Sequence, residues 1–129
     1  MLYNIPIQFL IDEVWEILSS PAGGELVAGF GRKSRKRKAR LAVTTQQTRD
    51  FLNSEQCQAV IACCATKWIG RQDASNSATL IEAFNLNAAQ LKFVTNQVGR
   101  GQGLLKCGAR WAPLEVIHSQ AEYRMAETS

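Results

Sequence analysis

Seven residues near the start, Ile7-Gln8-Phe9-Leu10-Ile11-Asp12-Glu13, constrain this chain more than any others. From Ile7 to Ile11 only Gln8 is polar, and the run has the length of a strand. Such near-continuous apolar character suits a central strand covered on both faces. The run then stops at two acids. In open α/β sheets the site lies just outside the carboxyl ends of the strands, which is where this strand delivers two carboxylates. One carboxylate can hold Mg²⁺ through its waters, and a second can take a proton from an attacking water; nucleotide hydrolysis needs both. Acids at a strand end also cap a following helix or solvate the edge, so the pair alone does not decide between these roles.

The rest of the chain alternates apolar runs with helical spacing. Val14–Leu18 continues as a short helical turn, and Ser19–Gly24 is a loop by composition. A helix is expected from about Glu25 to Lys38, with Leu26, Val27 and Phe30 inward. Leu41–Thr45 is the second strand and ends at Gln46, followed by a helical turn over Thr48–Leu52. Ala59–Ala65 is apolar and branched enough for a third strand. Ser75 or Asn76 can cap a helix through Phe84. Asn87 can cap another through Val98, with Gly99 as its stop. Gly103–Cys107 and Leu114–His118 form a hairpin through Gly108-Ala109-Arg110, and Ala121–Ala126 is a short terminal helix. Strands alternating with helices predict an α/β fold, a mainly parallel sheet flanked by helices with a C-terminal antiparallel hairpin. Residues 1–129 read as a single domain, long enough for a core.

Composition narrows the class. A hydrophobic fraction of 46% and a charged fraction of 20% are ordinary for a soluble globular protein. No apolar run approaches the ~20 residues of a membrane-spanning helix, and the first residues lack a secretory pattern. The expected setting is the cytosol, with docking on a membrane complex left open. Cys57, Cys63, Cys64 and Cys107 include no C-x-x-C pair, and His118 is the one histidine, so metal-site spacing is missing. The cysteines are expected to be reduced, small core residues. No G-x-S-x-G elbow exists, and His118 falls in a strand pattern, which argues against Ser/His/Asp chemistry. Trp15, Trp68 and Trp111 read as packing residues.

Charge is unevenly placed. The net charge is +4, yet residues 32–40 hold seven of the 15 basic residues and no acid. Eight basic residues against 11 acids remain elsewhere, a net of −3. Within the basic segment Arg32 and Arg35 are candidates to stabilise a transferring phosphoryl group, a task that favours arginine over lysine. The same segment also suits nucleic acid or another anionic surface. Gln46, emerging from the second strand, would lie beside Asp12 and Glu13 if the two strands are neighbours; an amide there can orient water or sense a γ-phosphate. Gly99-Arg100-Gly101-Gln102-Gly103 is not a phosphate loop, because no Gly-Lys-Ser/Thr follows and the next residues look like strand. Arg100 could still reach a nucleotide from there.

Taken together these residues resemble a known family. Leu10-Ile11-Asp12-Glu13-Val14-Trp15 is similar to the Walker B motif of the TraC-like conjugative-transfer ATPases, RecA-like P-loop motors of type IV secretion systems. The family's later arginine, Arg-Lys pair and Thr-Gln strand end are matched in spacing by Arg32, Arg35-Lys36 and Thr45-Gln46. Gly101–Leu105 resembles its C-terminal hairpin, and 119–128 its closing S-x-x-E helix. The resemblance implies ATP and Mg²⁺ as cofactors, with Asp12 holding Mg²⁺ through water and Glu13 as general base. It further implies Gln46 as γ-phosphate sensor and Arg32 and Arg35 as candidates to act across a subunit boundary. It implies a ring-like homo-oligomer with other secretion components, in the cytoplasm and peripheral at the inner membrane. The family's Walker A loop lies far upstream of Walker B, and no such loop occurs here. The expected assignment is therefore a partial RecA-like P-loop NTPase, the C-terminal portion from Walker B onward, inactive by itself.

Overall fold

The computed structural model describes residues 6–34 and 38–127. The elements run β1 (Ile7–Ile11), α1 (Val14–Leu18), α2 (Pro21–Ser34), β2 (Ala39–Val43), α3 (Thr48–Asn53), α4 (Glu55–Cys63), β3 (Thr66–Ile69), α5 (Ser77–Phe84), α6 (Ala88–Lys92), β4 (Gln102–Cys107), β5 (Arg110–Glu115) and α7 (Gln120–Ala126). A π turn over Phe93–Gln97 extends α6. β1 and β2 pair in parallel, with Ile7 opposite Ala39 and Ile11 opposite Val43. β3, β4 and β5 form a separate antiparallel sheet in that order. The fold is mixed α/β. Among the described residues, however, parallel pairing is confined to one strand pair, which corrects the expectation of a mainly parallel sheet.

The correction comes chiefly from Ala59–Ala65. This run lies largely in α4, not in a third strand; the strand follows it at Thr66–Ile69. Cys57, Val60, Ile61 and Cys64 recur at i, i+3, i+4 and i+7, and Cys57 and Val60 are buried. That is helical spacing, hidden because the residues between are also small or apolar. A second correction concerns β1, which is not covered on both faces: Ile7, Phe9 and Leu10 are exposed. Its sheet has two strands among the described residues, and α2 covers one side, with the Phe30 ring meeting Phe9 edge-on at 4.5 Å.

Helix α2 begins at Pro21, four residues before the expected start, because proline fits the first helical position, where its missing N–H costs nothing. Gly23 and Gly24 are therefore packing residues, not loop residues. A Cβ on Gly23 would fall 2.0 Å from the Ile17 carbonyl oxygen, and one on Gly24 would fall 2.4 Å from Cγ of Gln56 in α4. Val27 and Ala28 face inward, whereas Leu26 is exposed, against expectation. The hairpin closes through Gly108 and Ala109, with Gly108 at φ 59, so β5 starts at Arg110 and not at Leu114. Asn87 caps α6 in a capping box with Gln90, and Ser119 does the same for α7 with Glu122.

One cluster of buried side chains joins the two sheets. It includes Val14, Val27, Phe51, Val60, Ile69, Leu80, Val94 and Leu104. Of the cysteines only Cys57 belongs to it; Cys63 and Cys107 are exposed, which corrects their expected core role. No helix among the described residues is long and apolar enough to cross a membrane.

Candidate functional site

The parallel register of β1 and β2 brings both strand ends to one edge. Ile11 is level with Val43, so Asp12 and Glu13 emerge beside Thr44, Thr45 and Gln46. The chain turns sharply there. Glu13 adopts φ 46 and ψ 49, the left-handed region that glutamate rarely enters. Two backbone bonds hold the turn: Thr44 N–H donates to the Ile11 carbonyl at 2.9 Å, and Val14 N–H donates to the Thr44 carbonyl at 2.9 Å. A left-handed non-glycine residue costs on the order of 1–3 kcal/mol and persists where its surroundings over-determine it, often at working sites.

The side chains extend the same connections. The Thr44 hydroxyl donates to Asp12 Oδ1. Glu13 N–H donates to the same oxygen at 3.0 Å. Both bonds use one oxygen, which leaves Oδ2 of this exposed carboxylate for water or a hydrated cation. Glu13 Oε2 accepts the Gln46 backbone N–H at 3.2 Å. Gln46 thus meets Glu13 through its main chain, with its amide side chain exposed to solvent at the same edge. Oxygen-rich, partly hydrated surroundings suit Mg²⁺, which keeps several waters and needs one or two carboxylates. The arrangement can hold a metal-bound water near Asp12 and accept a proton at Glu13.

Thr44 is the participant that sequence reasoning missed. Its hydroxyl sits on the residue where β2 leaves the ladder, level with the first acid after β1, a placement that only the strand register reveals. The basic residues fall elsewhere. Helix α2 runs back from the Asp12–Glu13 edge toward the start of β2, so Arg32, in its last turn, lies at the opposite end of the strands. A 14-residue helix spans about 20 Å at 1.5 Å per residue, far beyond side-chain reach. Arg35, with Lys36, lies outside the described residues. Arg100 precedes β4 and stacks its guanidinium over Tyr123 of α7 at 5.6 Å. Among the described residues no group of three or more His, Cys, Asp and Glu gathers.

A cavity of about 300 Å³ opens beside this edge, between β2 and β3. Val43, Thr44 and Thr45 line it from one side, and Thr66, Trp68 and Ile69 from the other. Thr48 crosses it to donate to Gln72 Oε1 at 2.9 Å.

No family profile and no curated protein matches the sequence. Solved structures do match, among them VirB4 of Thermoanaerobacter pseudethanolicus, at a TM-score of 0.80 and 21% identity over 91% of this chain. The fold is shared with VirB4. The chain spans 32% of the length of that VirB4 chain. At this identity the likeness concerns the arrangement of elements alone, a mixed α/β architecture.

Proposed function

We infer that this chain contributes the metal- and water-handling side of a nucleotide-hydrolysis site in a type IV secretion ATPase related to VirB4. One observation carries the reading. The parallel β1–β2 pair sets two carboxylates at its C-terminal edge, and the adjacent strand engages each of them, Thr44 on Asp12 and Gln46 on Glu13. Asp12 would hold Mg²⁺ through water, with the Thr44 hydroxyl fixing its rotamer. Glu13 would accept the proton of the attacking water, and the Gln46 amide would lie beside the γ-phosphate. ATP with Mg²⁺ would supply the phosphoryl group and the charge that polarises it. Arg32 lies too far from its own chain's carboxylates to serve them, which favours a role at a neighbouring subunit's site in an oligomer; Arg35 is proposed for the same task on spacing alone.

Secretion-system components at the membrane are the partners this reading implies. The exposed basic residues Arg32, Lys33 and Arg40, at the end away from the acids, leave room for a separate contact with nucleic acid. Such binding would weaken steeply with salt and survive Glu13→Gln.

Hydrolysis tests the assignment. With no Gly-Lys-Ser/Thr loop to cradle the phosphates, the 129-residue chain by itself is expected to show no ATP turnover. Joined to a segment bearing such a loop, it should hydrolyse ATP. Glu13→Gln should then lower kcat by roughly 10²–10⁴ while nucleotide binding persists. Glu13-dependent turnover by the isolated chain, or full activity of the Gln variant, would overturn it.

A further inference from the structure

Two lysines stand opposite each other on the antiparallel sheet. The β3–β4 register sets Lys67 level with Lys106. Facing residues of an antiparallel pair hold their Cβ atoms about 5 Å apart on one face, and like charges placed so destabilise the sheet. The next pair on that face, Ile69 and Leu104, is buried in the core. The lysines therefore mark where this face leaves the core. Burial and the facing Lys106 hold the Lys67 ammonium below the ordinary lysine value of 10.5. No carboxylate offsets the two charges. Lys67 Nζ donates to the Cys64 carbonyl, just past the end of α4, and Lys106 Nζ lies 5.3 Å from the centre of the Trp111 ring. Neither ammonium forms an ion pair with a described residue.

Both lysines line a cavity of about 540 Å³ bounded by α3, α4, α5 and the two strands. Small-molecule sites span about 300–1,000 Å³. Asn53 and Thr79 bring an amide and a hydroxyl to the cavity, and neither side chain makes a hydrogen bond with a described residue. Leu52, Ile61 and Phe84 supply an apolar wall, shared with the cavity beside the acidic edge. Glu82 of α5 is the one acid in the lining, and it is exposed. Two lysines against one glutamate leave the lining positively charged. None of Asp12, Glu13 and Thr44–Gln46 belongs to it.

We propose that this cavity binds a phosphate monoester with a small apolar body, its phosphate held between Lys67 and Lys106. Charge selects the group. A phosphate monoester carries about 1.5 to 2 negative charges at pH 7 and three strong acceptor oxygens, so one group neutralises both ammonium ions. A carboxylate neutralises one. Lysine binds phosphate as a point charge, without the planar fork that arginine needs. Asn53 and Thr79 donate to the remaining oxygens, and Leu52, Ile61 and Phe84 cover the apolar body. The bound phosphate supplies the counter-charge that the facing lysines lack, so relief of their repulsion adds to affinity. The site is independent of the proposed nucleotide chemistry and stands without it.

Phenyl phosphate is the probe, titrated into the whole isotope-labelled chain and followed by NMR. The resonances of Lys67, Lys106, Asn53 and Thr79 should shift on one saturable curve while those of Asp12 and Glu13 stay in place. Lys67→Met and Lys106→Met should each weaken binding by about tenfold or more, the loss that goes with a charge-assisted hydrogen bond. Lys67→Arg, which keeps the charge, should stay within about threefold of the parent. Glu82→Gln removes the like charge in the lining and should tighten binding by about threefold. Phenyl sulfate has the same shape and a single charge, and should bind about tenfold more weakly. Lys67→Met also relieves a like-charge contact, so its thermal midpoint should be no lower than the parent's. A lower midpoint with unchanged binding gives the lysine a role in the fold alone and overturns the proposal. So do the absence of saturable binding, shifts centred elsewhere, and undiminished binding when both lysines are replaced by methionine. Inorganic phosphate that binds as tightly as phenyl phosphate overturns the assignment of an organic ligand.

Discussion

Glu13 carries two demands at once. Its carboxylate accepts the Gln46 N–H, and its backbone holds a left-handed turn. Glycine adopts that turn without strain, so Glu13→Gly trades relief of strain against a lost hydrogen bond and greater freedom of the unfolded chain. The expected net change in unfolding free energy is within about 1 kcal/mol by urea titration, because these terms are of similar size and opposite sign. Proton acceptance from the attacking water would be lost altogether in a completed site. A variant as stable as the parent yet inactive separates the functional residue from the structural one. The placement of the acids was legible in the sequence, since the apolar run of β1 stops at Asp12-Glu13. Thr44 was not, because nothing in a linear chain says that it lies level with Asp12 until the register of β1 and β2 is known.

At the scale of elements, the glycines of α2 divide by what surrounds them. Gly23 abuts the backbone of α1, and Gly23→Ala should destabilise the chain by about 1–3 kcal/mol, the usual cost of overpacking. Gly29 has nothing within 4 Å of a built Cβ, so Gly29→Ala should stabilise by up to about 1 kcal/mol through helix propensity. Thermal unfolding of both variants reads the opposite signs. α7 gives a pH prediction. Hydrogen bonds from the Ser119 backbone and hydroxyl hold the Glu122 carboxyl below its ordinary value of 4.5. A lowered folded pKa means that the cap's contribution is full above the ordinary value and is lost as pH falls through the folded one. Chemical shifts of α7 should therefore move toward coil on acidification below pH 4.5. The ends of this helix and of α6 were legible, because Ser119–Glu122 and Asn87–Gln90 state their caps locally. α4 was misread because Ala59, Ala62 and Cys63 fill the gaps in its helical stripe and make a branched, strand-like run. The early start of α2 was missed because Pro21 and two glycines spell a loop unless α1 and α4 are known to press on them.

For the whole molecule, the order of elements was nearly readable and the pairing was not. The strands β1 and β2, the helix between them and the final hairpin follow from local patterns, whereas the parallel register of β1 and β2 does not. That the described strands form two separate sheets depends on contacts between residues far apart in sequence. The direction of α2, running back from the acidic edge toward the start of β2, puts Arg32 at the far end. The central claim is that Asp12 and Glu13 form the metal- and water-handling side of a hydrolytic site. A Mn²⁺ titration of the isotope-labelled chain tests it most directly, because Mn²⁺ substitutes for Mg²⁺ at oxygen sites and broadens nearby resonances. The expected result is broadening centred on Asp12, Glu13 and Thr44–Gln46, reversed by excess Mg²⁺ and lost in Asp12→Asn. Broadening centred elsewhere, or unchanged in Asp12→Asn, would contradict the account.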